Sequence, residues 1–155
     1  MGEIELGNVH VADVMNPDPP VVEKTAGVCK VARLLRRHSH VWVVQDKDSR
    51  KVLGVVTERD FLDLLNPLPD LMYTTGMFRT RSLYHGEMSS VEEFMTSPAF
   101  TCRSDDTVAD ALEELWLKRI RHLAVVKDGC LVGELSMKGI IAAYYITSCS
   151  MMNGA

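Results

Sequence analysis

Two stretches of this chain, residues 11–65 and 91–145, can be laid on each other almost throughout, and this duplication restricts the possible folds more than any single motif. Met15 falls on Met95. Val28, Val31, Ala32 and Leu35 fall on Val108, Ala111, Leu112 and Leu115, so both repeats carry the i, i+3, i+4, i+7 stripe of a core-facing helix. His40 or His122 follows each helix, and then an apolar run, Val41-Trp42-Val43-Val44 in the first repeat and Leu123-Ala124-Val125-Val126 in the second. Such runs read as buried strands. Lys127-Asp128-Gly129-Cys130 holds the Asp-Gly pair of a tight hairpin, whereas repeat one has a longer turn between Gln45 and Lys51. The returning strands carry Gly54 and Gly133 at matching places and run into the closing helices.

Each repeat therefore reads as βαββα, with its first strand near Pro20-Val21-Val22 or Phe100-Thr101-Cys102. A unit of about 55 residues is marginal alone, and a sheet covered by helices on one face needs a cover on the other. The expectation is an α+β fold in which the two repeats pack about a pseudo-twofold axis, sheets facing each other with flanking helices, leaving a cleft. The expected bounds are 8–65 and 91–147 for the repeats and 148–155 for a frayed tail. The segment 66–90 is too apolar for a free linker and is read as helical, with a partner or lid surface as the functional alternative.

Composition excludes several classes. The chain is 46% hydrophobic and 25% charged, a globular balance, and its net charge of −4 argues against nucleic acid as the main partner. Arg33, Arg36 and Arg37 share a helix face and are read as a solvated surface, with nucleic-acid binding as the alternative. No apolar run approaches the length of a membrane span, and the N-terminus lacks the order of a secretory signal. Cys29, Cys102, Cys130 and Cys149 form no C-x-x-C pair and read as reduced, mostly buried thiols of a cytoplasmic protein. The five histidines show no metal-ligand spacing, and no catalytic motif is present, so no enzyme is read. Trp42 and Trp116 are read as core and interface residues.

Thr107-Val108 with Asp110-Ala111-Leu112, then the His122 strand, then G-x-x-S-x-x-G from Gly133, resemble a CBS domain. Repeat one fits the family motif G-h-x-[ST]-x-x-D (h, apolar) in full, from Gly54 to Asp60, so the chain resembles a tandem CBS pair, or Bateman module. The resemblance implies a regulatory module that binds an adenosine-containing ligand (AMP, ADP, ATP or S-adenosylmethionine) in the cleft, needs no cofactor, forms a homodimer and acts on an unidentified regulated protein. Carried over, Asp60 holds the ribose, Thr57 lies near the phosphate, Pro98, Ala99 and Phe100 lie near the base, Arg121 and His122 lie near the phosphates, and Val55 is a further ligand-binding residue.

The residue chemistry bears on the same place. A carboxylate can accept from both ribose hydroxyls, and Thr57 at a helix start would offer a hydroxyl and free backbone N–H groups to an anion. T-x-x-D before an apolar run is also a capping box, with Asp60 reaching back to its own helix start, and the spacing alone leaves both readings open. The repeat favours the ligand role, because it puts this helix start at the cleft. Repeat two has Gly139 where the motif needs Asp, so one competent site is expected, and a weaker one near Ser136, Val21 and His40. The competing reading is a ligand-free interaction scaffold.

Overall fold

The computed structural model describes residues 6–65 and 90–149. The segment 66–90 apart from Ser90, and the tail from 150 onward, lie outside the described residues, and so do the expectations placed on them. The order is a short 3₁₀ turn (Leu6–Asn8), α1 (Val11–Val14), β1 (Val21–Glu23), α2 (Val28–Leu35), β2 (His40–Val44), β3 (Val52–Thr57) and α3 (Glu58–Leu65). A second 3₁₀ turn (Val91–Glu93) leads to β4 (Thr101–Arg103), α4 (Val108–Lys118), β5 (His122–Lys127), β6 (Cys130–Ser136) and α5 (Met137–Tyr144). A π-helical turn, Tyr145–Cys149, continues α5 two residues past the expected end of repeat two.

The fold is α+β, with two three-stranded sheets ordered β1-β2-β3 and β4-β5-β6. In each, the first pair is parallel and the second antiparallel, with a bulge at the same place, Val43/Val44 and Val125/Val126. Asp128 and Gly129 take φ of 54° and 80°, the two left-handed residues of a type I′ hairpin turn. Thr107 caps α4, its hydroxyl accepting from the Asp110 amide at 3.2 Å.

The compact units are not the two sequence repeats. Residues 20–99 form one unit, and 1–19 with 100–155 form the other. Val91 is fully buried in a core with Val22, Val31, Val41, Val43 and Val56, while Val11 is fully buried with Val108, Leu115, Leu123, Val125 and Leu135. Thus the lead-in segment of each repeat packs on the sheet of the other. The Val11 amide donates to the Asp106 carbonyl at 2.9 Å, and Asn16 and Glu134 exchange backbone bonds at 2.8 and 2.9 Å. Val55 and Thr96 make the equivalent exchange in the other unit, at 3.0 and 2.8 Å. Gly54 and Gly133 allow these approaches: a Cβ on Gly54 would lie 2.6 Å from the Thr96 carbonyl oxygen, and one on Gly133 2.7 Å from that of Asn16.

One expectation needs correction. Among the cysteines only Cys102 is buried; Cys29 is exposed on α2, away from its Val28 and Val31 face, and Cys130 and Cys149 are half-buried. Trp42 is a core residue, whereas Trp116 is 74% exposed, because it follows Leu115 onto the outer face of α4. Arg33, Arg36 and Arg37 are exposed. Among the described residues, no helix is long and apolar enough to cross a membrane.

Candidate functional site

Thr57 ends β3 opposite His40, and the chain turns directly into α3. The Asp60 carboxylate bends back over this turn: Oδ2 accepts from the Thr57 amide at 2.9 Å and from the Thr57 hydroxyl at 3.1 Å, while the Asp60 amide donates to Thr57 Oγ1 at 3.3 Å. This is the reciprocal capping arrangement, so of the two readings left open by the spacing, the cap is the one formed. The expectation of free N–H groups for an anion is corrected for three amides of this helix start. The amides of Thr57 and Asp60 are used within the cap and that of Glu58 donates to the Ser39 carbonyl at 3.1 Å, because the helix carries its own first-turn anion in Asp60.

The other Asp60 oxygen, Oδ1, accepts from the Thr96 hydroxyl at 3.0 Å. Thr96 was not singled out from the sequence. Its signal was positional: it follows Met95, the repeat-matched methionine, and stands where repeat one has Asn16. The unit of residues 20–99 therefore gathers half-buried Val55, Thr57 and Asp60 around Thr96, with Pro98 and Ala99 two and three residues further on. Phe100, Arg121 and His122 belong to the other unit. There, Lys118 Nζ lies 4.7 Å above the Phe100 ring, Arg121 is exposed and its carbonyl accepts from the Met137 amide at 3.1 Å, and His122 pairs with Ser136 at the start of β5.

The residues expected around a second site differ in chemistry from the first set as well as in lacking an Asp. Ser136 Oγ accepts from the Gly139 amide at 2.9 Å, repeating the cap without its carboxylate. At the position equivalent to Val55 stands Glu134, only 7% exposed, accepting from Asn16 Nδ2 at 3.4 Å. In the unit of residues 20–99, Val21 pairs with Trp42, and His40 is buried, with Ser39 Oγ 3.1 Å from its Nδ1 and its ring edge-on to Trp42. A cavity of about 480 Å³ lies between α5 and the lead-in segment, lined by Leu6, Val9, Val14, Gly139, Ile140 and Ile146 among others and by none of the expected site residues. A smaller one, about 180 Å³, reaches Val21 together with Lys30, Lys47 and Arg50. Among the described residues, no group of three or more His, Cys, Asp or Glu side chains could hold a metal ion.

The chain resembles known proteins over most of its length. It is 25% identical over 124 residues to an uncharacterized 17.7 kDa protein of Acidianus ambivalens, covering 79% of this chain and 65% of that one, just under two thirds of the relative's length. CBSX2, solved in complex with AMP, superposes with a TM-score of 0.71 at 26% identity, over 90% of this chain and 98% of its own; a structure of CBSX2 from Arabidopsis thaliana gives 0.71 at 24%, over 90% and 96%. Residues 11–67 and 91–146 each match the CBS domain family, and with two such matches spanning well over half of its length, the chain belongs to that family as a tandem pair.

Proposed function

We propose that the protein is a regulatory module that binds an adenosine-containing ligand, AMP, ADP, ATP or S-adenosylmethionine, through the ribose. The observation that carries this reading is the Asp60 carboxylate. It stands half-buried at the start of α3, where the complete family motif places a sugar-diol acceptor, and the similar CBSX2 was solved with AMP. Since the Thr57, Glu58 and Asp60 amides at this helix start already have partners, recognition rests on the sugar and base more than on the helix end holding phosphate. Repeat two has no carboxylate at residue 139, and a lost charge-assisted hydrogen bond costs about 1.5–3 kcal/mol, or about tenfold or more in affinity. The stoichiometry is therefore one ligand per chain.

Thermal melting of the intact protein with each of the four ligands tests the proposal. A ligand at a hundred times its Kd adds about 2.7 kcal/mol, a rise of several degrees in Tm. Asp60→Ala abolishes that rise. Absence of a shift with all four at millimolar concentration rejects the reading.

A second reading, a ligand-free interaction scaffold, is favoured by the cap itself, since Asp60 already serves its own helix. Under it, Asp60→Ala costs about 1 kcal/mol of stability and alters nothing else. Assembly as a homodimer that acts on a regulated protein is part of the proposal. Trp116 and Leu117 on α4, and Ile141, Tyr144, Tyr145 and Ile146 on α5 and its continuation, leave large apolar side chains exposed. Sedimentation equilibrium reads the oligomeric state directly.

A further inference from the structure

The number of acceptors at Asp60 has a consequence for affinity. A carboxylate offers about four lone-pair positions. Three are occupied: two on Oδ2 by the Thr57 amide and hydroxyl, and one on Oδ1 by the Thr96 hydroxyl. A ribose diol brings two donors to the one position that is left. One existing bond must yield, and the three are not equally held. The Oδ2 bonds fasten the first turn of α3, whereas the Thr96 hydroxyl is a rotor on an exposed side chain. The Thr96 backbone is fixed independently of that hydroxyl, by the paired bonds to Val55 and by the fit of its carbonyl over Gly54.

We propose that Thr96 sets the affinity of the site: its hydroxyl holds the Asp60 oxygen that the sugar needs, and binding exchanges one for the other. This rests on the ligand reading of Asp60 given above. Removing the competing donor then tightens binding. Thr96→Val keeps the β-branched shape and the backbone pairing; by calorimetry with AMP it is expected to bind about 3- to 10-fold more tightly than the parent protein. Thr96→Ser, which keeps the hydroxyl, stays within about twofold of the parent, and Asp60→Ala loses binding. Unchanged or weaker binding by Thr96→Val, with Asp60→Ala still defective, overturns the exchange and leaves the proposed function standing. Binding by Asp60→Ala as tight as the parent's, or no binding by the parent of AMP or of any of the other three ligands, overturns both. Melting curves of each variant confirm that it is folded.

Discussion

Burial treats chemically identical side chains in opposite ways. Loss of water around Cys102, with a smaller effect of the nearby Asp106 carboxylate, pushes its thiol up to about 12, while Cys29 is exposed on α2. Only the thiolate attacks a disulfide reagent. At pH 8 the reagent is expected to label Cys29 at once and Cys102 only on unfolding. The sign of the pH effect follows. Folded Cys102 keeps its proton where the unfolded thiol has lost it, so its contribution to stability is complete below about pH 9 and is lost as pH rises toward 12. Urea melts across that range check the direction. Gly54 shows a steric counterpart: Gly54→Ala puts a methyl group 2.6 Å from the Thr96 carbonyl oxygen and 2.7 Å from Met95 Sδ. A backbone oxygen held by a ladder bond cannot retreat cheaply, so a loss of about 1–3 kcal/mol or more is expected in denaturant melts.

At the scale of elements, the chain ends differ in how well each residue suits its conformation. The hairpin between β5 and β6 gives its left-handed positions to Asp128 and Gly129, as a type I′ turn requires. α4 ends instead on Arg119 at φ 53°, a left-handed cap that glycine adopts without a Cβ penalty. Substitutions at the two places should therefore move stability in opposite directions. Gly129→Ala is expected to cost about 1–2 kcal/mol, and Arg119→Gly to add up to about 1 kcal/mol; paired thermal melts read both signs.

At the scale of the whole molecule, each lead-in segment is stabilised by the sheet it covers rather than by the repeat it begins. Val11 lies in the core with Leu123 and Leu135, and Asn16 is bonded to Glu134. Weakening that core should therefore loosen residues more than a hundred positions away. In Leu135→Ala, expected to lose about 2–5 kcal/mol, the amide of Asn16 should exchange with solvent much faster than in the parent protein. If the segment were held by its own repeat, its exchange would not respond.

The strands, the hairpin and the two helices of each repeat, though not α1, could be read from the sequence because they depend on local patterns. The paired stripes from Val28 and Val108, the apolar runs after His40 and His122 and the Asp128-Gly129 pair act over a few residues, and the duplication checked each reading against its copy. The motif from Gly54 to Asp60 was equally visible. Its state was not, because T-x-x-D serves a helix cap and a sugar diol with the same spacing. Only the tertiary structure decided that Asp60 closes its own helix and accepts from Thr96, that the lead-in segments change sheets and that Cys102 alone among the thiols is buried. Each depends on which distant segments meet, and no local period encodes that.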